Sequence, residues 1–400
     1  LNAIELLTHL ESLGVGVRAD GERLRVSAER GQITNELKEA INALKPELLA
    51  LLARRAQDAT DSTQAYSTHA APEGEFPVSF AQRRLWFLDQ LSPGSSAYNL
   101  GASRLFESEI DVAALEQSIN DVVQRQASLR TVFREAGGEP VQVVRPFERL
   151  RLELIDLSTL APAETASEAT RLARAEAARP FDLATGPLFR ARLLRLEPRK
   201  HVLLFSLHHI ICDGWSLGIF LDDLARCYEA RRAGSTPWLA PLTLHYSECV
   251  KQERERLQAN ALDTLLAYWR ERLAGAPPTL ELPTDRPRPA RQTSNGATVG
   301  LALSTELSDG LRALARRERA TLYMALLAVF NVLLQRWSGQ SDIVVGTPVA
   351  NRPTSEHERL VGMFVSTLPI RSQVAADVST RELIAQIRER VFEAQTHIDL

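Results

Sequence analysis

Residues 206–216 read SLHHIICDGWS. The chain has eight histidines in 400 residues, and two of them, His208 and His209, are adjacent and closely followed by Asp213 and Gly214. Such a grouping suits a metal, acid–base chemistry or a satisfied core. For a metal, His208, His209 and Asp213 are all possible ligands. However, the preceding run HVLLFSL at 201–207 reads as a buried strand. Side chains alternate along a strand, so adjacent imidazoles point apart, whereas zinc ligands are spaced to converge. No metal site is expected. A core role suits His208. Acid–base chemistry suits one member of the pair, because imidazole exchanges a proton near neutral pH. Asp213 stands where a helix over WSLGIFLDDLARCYEA begins, placed to accept backbone N–H groups or an arginine. Gly214 leaves the backbone open to an approaching substrate.

The elements that must position this group belong to a mixed α/β chain. Helical spacing is read over DVAALEQSINDVVQRQASLRTVF, SLGIFLDDLARCYEARR, 306–319 and 321–337, and strands over RKHVLLFSLHH and DIVVGTPVA. The proline- and arginine-rich stretch 274–293 is the expected crossing between two lobes. Ahead of these, residues 1–55 read as helix, hairpin, helix, helix. Asp20-Gly21 is the hairpin turn signal and Pro46 opens the last helix. Residues 56–77 are polar and aperiodic and read as a linker.

Lys and Arg total 47 against 50 Asp and Glu, a formal net charge of −3, which argues against a nucleic-acid surface. No apolar run reaches the roughly 18 residues of a membrane span, and the start LNAIELLTHLESLG lacks the order of a secretory leader. Cys212, Cys227 and Cys249 are too few and too irregular for a disulfide framework or zinc cluster. A cytoplasmic location, with no membrane or nucleic-acid partner, is expected.

The run His208–Gly214, extended by Trp215-Ser216, resembles the HHxxxDG hallmark of nonribosomal peptide synthetase condensation domains. SFAQRRLWFLDQLSPGSSAYN at 79–99 looks like the family's opening motif, and RQASLRTVF at 125–133 resembles its RHExLRTxF segment. LPTDRPRP at 282–289 and VGMFVSTLPIR at 361–371 follow in family order. Departures are Gln126 and Ala127 for the usual His-Glu, Ser366 for a common Asn, and Gln252 at an expected Trp. The resemblance implies two acyltransferase-like lobes in a V, assigned here to 78–275 and 276–400, the second ending short of the family's last motifs. It also implies amide formation between an upstream acyl or peptidyl thioester and a downstream aminoacyl amine. Both substrates arrive on phosphopantetheine arms of carrier proteins, and no cofactor is bound directly.

By the same resemblance His209 faces the substrates, His208 faces the core, and Asp213 supports the loop through an arginine, Arg130 first and Arg125 second. Gly214 leaves room for the thioester and offers its N–H. The opening motif looks like the subtype taking an upstream L-residue or an acyl starter. The Asp-Gly-Trp-Ser continuation disfavours an epimerisation domain, and the intact histidines disfavour a heterocyclisation domain. The rival class is a non-catalytic recruitment module of the same fold. Residues 1–55 resemble the small docking domains at the front of synthetase subunits. That implies a partner, the C-terminal tail of an upstream subunit, contacted by the hairpin through Val17, Arg18, Arg23 and Arg25.

Overall fold

The computed structural model describes residues 16–20, 23–27, 41, 44, 45, 72–257, 260–289, 296–375 and 377–399. The chain divides into two units, Leu1–Thr68 and His69–Leu400. In the first, β1 (Gly16–Asp20) and β2 (Arg23–Ser27) pair antiparallel. Val17 stands opposite Val26, Arg18 opposite Arg25, and Asp20 opposite Arg23. Asp20 therefore belongs to the strand ladder and not to the turn read at Asp20-Gly21. The helices expected on either side of this hairpin lie outside the described residues, apart from 41, 44 and 45.

The second unit opens with β3 (Gly74–Pro77) and α1 (Phe80–Leu91), then β4 (Asn99–Phe106) and α2 (Val112–Arg125). β5 (Thr131–Ala136), β6 (Glu139–Val144), β7 (Glu153–Asp156), α3 (Pro162–Ala178), β8 (Phe189–Glu197) and β9 (Lys200–His208) follow. Next come α4 (Gly214–Arg232), α5 (Tyr246–Arg256), α6 (Asn260–Leu273), α7 (Thr305–Arg317) and α8 (Leu322–Ser338). β10 (Asp342–Val349), β11 (Ser366–Gln373) and α9 (Thr380–Gln395) complete it. The strand orders are β3-β6-β5, β4-β9-β8-β7 and β10-β11, with only β7–β8 parallel.

β9 is an inner strand, paired with β4 on one edge and β8 on the other. On one face Leu203, Phe205 and Leu207 join Phe133, Phe189 and Phe220 in the first hydrophobic core. On the other, Leu204 and Val202 pack with Leu172 of α3. With both faces covered, a nearly unbroken apolar run results. A second large core gathers Trp269, Leu327, Ile343, Ile370, Ile384 and Ile387. The segment 350–365, between β10 and β11 of the second core, sends Val361 and Met363 into the first core. No single helix among the described residues is long and apolar enough to cross a membrane.

Four sequence-based boundaries move. β3 forms inside the stretch read as linker, because Gly74–Pro77 completes the edge of the β6 ladder. The helix read through Phe133 ends at Arg125; Gln126 is extended, and the β-branched Thr131 and Val132 begin β5. α6, placed in the first lobe, gives Trp269 to the second core, so the chain changes cores between α5 and α6. The described part of the 274–293 stretch, 274–289, does not make that crossing: Leu280 and Leu282 pack on the second core, and Gln340 bonds the backbone of Thr279 and Glu281.

Candidate active site

β9 delivers His208 at its last position, and a 3-10 turn, His209–Ile211, breaks the strand immediately after. The His208 N–H donates to Leu188 O (3.0 Å), the His209 N–H to Tyr98 O (2.8 Å), and the Gln82 amide to Ile210 O (3.2 Å). Gln82 is itself fixed by a reciprocal capping box with Ser79 at the start of α1. The opening motif thus props the histidine turn.

The two imidazoles are in different environments. His208 is 2% exposed, lies among the rings of Tyr98 and Phe181, and accepts the Ile210 N–H on Nδ1 at 3.2 Å. Burial, with a smaller contribution from His209, pushes its pKa down to about 4. A neutral ring that accepts on Nδ1 carries its proton on Nε2. His209 is half-buried, with Nδ1 3.1 Å from the Met363 sulfur.

Asp213 caps α4, its Oδ1 accepting from the Ser216 N–H at 2.8 Å. The same oxygen lies 2.7 Å from Ser216 Oγ and 3.0 Å from Arg352 Nη2. Oδ2 accepts the Phe364 N–H at 3.1 Å. Both side chains of the Asp213–Arg352 pair are 2% exposed. Arg352 also donates to the carbonyls of His357 and Leu360 and lies over the Phe364 ring. Burial pushes the guanidinium down, and Asp213 opposes that. Ser216 Oγ accepts from Gly362 N–H and from Arg352 Nη2 and lies 3.0 Å from Gly362 O. Its single proton goes to one oxygen, and the charged carboxylate at 2.7 Å is the stronger acceptor.

These bonds clamp the crossing segment residue by residue. Val361 N–H donates to Gln126 Oε1 (3.0 Å), Val361 O accepts from Ser128 Oγ (2.7 Å), and Met363 O accepts from the Tyr246 hydroxyl (2.8 Å). A Cβ on Gly362 would stand 2.2 Å from the Tyr246 ring. Gly214, by contrast, is exposed, and a Cβ there would meet nothing within 4 Å.

The arginine assignment is corrected: Asp213 pairs with Arg352, and neither Arg130 nor Arg125 is its partner. Arg125 is tied to Asp223 at 3.2 Å, linking α2 to α4. Arg130 donates to the Arg145 carbonyl at the end of β6. Arg352 comes 139 residues after Asp213, so only the fold brings them together. The available signal was a charged residue directly before Pro353 at the end of an apolar strand. Gln126, a departure from the family pattern, is buried and also donates to Arg359 O at 3.1 Å. The expected docking residues Val17, Arg18, Arg23 and Arg25 all fall on the two strands of the hairpin. Among the described residues no group of acidic, histidine or cysteine side chains could hold a metal ion.

Met363 also lines a cavity of about 230 Å³, together with Phe80, Tyr246, Glu253, His357 and Ser366. Burial pushes the Glu253 carboxyl up to about 7; Arg256 opposes this and Asp399 reinforces it.

Residues 72–400 match the condensation-domain family, and residues 4–54 match the TubC N-terminal docking domain. The chain belongs to the condensation-domain family, with a docking domain of the TubC type preceding it in sequence. It is 47% identical over 340 residues to a linear gramicidin synthase chain of Brevibacillus parabrevis, covering 85% of this chain and 7% of that protein. It is 41% identical over 367 residues to phosphinothricin tripeptide synthetase PhsC of Streptomyces viridochromogenes, covering 91% of this chain and 34% of the relative. The chain therefore spans about a third or less of these relatives. Among solved structures, the X-domain from teicoplanin biosynthesis matches with TM-score 0.73 at 30% identity, over 82% of this chain and 72% of that one. The first condensation domain of the CDA synthetase matches in fold with TM-score 0.69 at 24% identity, over 82% and 77%.

Proposed function

We propose that this chain forms an amide bond between two carrier-bound substrates. The neutral amine of a downstream aminoacyl thioester attacks the carbonyl of an upstream acyl or peptidyl thioester. The tetrahedral adduct expels the upstream thiolate, the amine proton passes to solvent or to that thiolate, and the elongated chain stays on the downstream arm. A thioester is already activated, so positioning and stabilisation of the oxyanion supply much of the acceleration. The observation that carries this reading is the division of labour within the motif. His208 and Asp213 are buried and engaged in structure, whereas His209 is half-buried and Gly214 is exposed with open space about it. His209 then receives or orients the amine, and the Gly214 N–H faces the thioester. Phosphopantetheine arms deliver both substrates, the upstream one being L-configured or an acyl starter, and the reaction takes place in the cytoplasm. The hairpin β1–β2 pairs an open edge with the C-terminal tail of an upstream subunit.

A reconstituted assay with two loaded carrier proteins tests this. His209→Ala should lower turnover at least about a hundredfold with an unchanged melting temperature; normal turnover by that variant refutes the assignment. Deleting residues 1–55 should slow transfer only from a separate upstream subunit.

A second reading, a recruitment module without catalysis, is favoured by the likeness to the X-domain, which has been solved in complex with OxyB. Absence of any amide product with competent carriers would select it.

A further inference from the structure

We propose that Met363 is a positioning residue for His209: its thioether holds the imidazole as the Nδ1–H tautomer and leaves the Nε2 lone pair for the incoming amine. This rests on the reading that His209 meets the amine. The Nδ1–Sδ separation is 3.1 Å, a hydrogen-bonding distance for sulfur. A thioether accepts and cannot donate, so that contact is a hydrogen bond only when the proton sits on Nδ1.

Methionine is the most adaptable apolar side chain, with three rotatable bonds, and alone would orient little. Here its backbone is held on every side. Val361 is bonded through both N–H and C=O, Gly362 through its N–H, Met363 through its carbonyl, and Phe364 through its N–H. The side chain is 3% exposed and belongs to the first core. The Asp213–Arg352–Ser216 cluster holds the backbone on either side of Met363, and thus acts on His209 through this one sulfur.

The neighbouring histidine is the internal contrast. His208 accepts on Nδ1 and carries its proton on Nε2. Two adjacent imidazoles are therefore set in opposite tautomers, one by a backbone N–H and the other by a thioether. The usual orienting partner of an active-site imidazole is a carboxylate or a carbonyl. Sulfur orients the ring without placing a negative charge beside it, which suits an imidazole that accepts from an amine and does not hold its proton.

The chain has two methionines, Met324 and Met363, and Met324 lies in the second core. In a Met324→Leu background, replacing methionine by norleucine exchanges one sulfur for a methylene at this site and keeps the shape. Nitrogen NMR of histidine-labelled protein, with His209 assigned by its loss in His209→Ala, should show Nδ1–H for His209 in the methionine protein. The norleucine protein should shift toward Nε2–H, and turnover should fall about tenfold with KM within twofold. Met363→Gln, which offers an amide oxygen, should restore the Nδ1–H form. A norleucine protein that keeps the original tautomer overturns the assignment, as does folded Met363→Gln protein that fails to restore it. A tautomer that responds in a protein unable to condense carriers leaves this inference standing and removes the functional reading instead.

Discussion

The two sides of the site are held by different forces. The β9 side is apolar: Leu203, Leu204, Phe205, Leu207, Ile210 and Ile211 are each 3% exposed or less. Its position is the sum of many weak contacts, each worth ~0.1–0.2 kcal/mol. The crossing segment facing it is held by a few polar bonds from Gln126, Ser128, Asp213, Ser216, Tyr246 and Arg352. Distributed packing tolerates single conservative changes. A concentrated polar clamp does not, because a buried group left without its partner bears its whole desolvation cost.

The largest expected effect lies in the clamp. Asp213→Ala and Arg352→Ala should each cost about 3–5 kcal/mol, because each strands a buried charge. The double variant should cost clearly less than their sum. Arg130→Ala, in the same denaturant titrations, should add independently to Asp213→Ala. Additive Asp213 and Arg352 effects would remove the clamp from the comparison.

The next effect is set by pH. The folded pKa of His208 lies below its ordinary 6.5, at about 4, so the unfolded chain takes up the proton first. Its contribution is complete above pH ~6.5 and is lost as pH falls toward 4, about 3 kcal/mol in all. Glu253 runs the other way. Its folded pKa is raised from 4.5 to about 7, so its contribution is present below pH ~4.5 and is lost as pH rises toward 7. The size is somewhat smaller, because the side chain keeps some solvent contact. Between pH 4.5 and 6.5 the two oppose each other. Unfolding free energies at pH 4.5 and 7.5 should therefore diverge in opposite directions for Glu253→Gln, which gains stability with rising pH, and His208→Gln, which loses that gain. Parallel curves for the two variants would show that neither group titrates as placed.

Gly362→Ala should cost about 1–3 kcal/mol through overpacking on the Tyr246 ring. Calorimetry on Gly362→Ala, alone and with Tyr246→Leu, checks this: relief by the second change is expected, and an unrelieved loss places the strain elsewhere. Gly214→Ala should leave the melting temperature nearly unchanged, because a Cβ there meets open space. Its condensation rate should fall if the thioester passes the backbone at this point, and an unchanged rate would move the substrate path away from Gly214.

How much of this could be read in advance varies by element. β9 was legible because its unbroken apolar run is what a strand covered on both faces requires. The end of α2 was not. Gln126 has an ordinary helical propensity, and what ends the helix there accompanies its bonds to Arg359 and Val361, more than 230 residues away in sequence. The lobe boundary shifted for a similar reason. An amphipathic helix such as α6 announces that it has an apolar face, and which core receives Trp269 depends on what lies opposite.

The sequence by itself determined the strand that delivers His208 and the capping role of Asp213. These follow from periodicity and local backbone chemistry, which act over a few residues. Only the tertiary structure decided that Arg352 is the partner of Asp213, that Gln126 and Ser128 grip the crossing segment, and that a methionine sulfur meets His209. A buried charge requires an opposite charge, and many arginines satisfy that requirement in the sequence. Geometry alone selects the one whose guanidinium reaches the carboxylate after the segment between β10 and β11 has crossed from one core to the other.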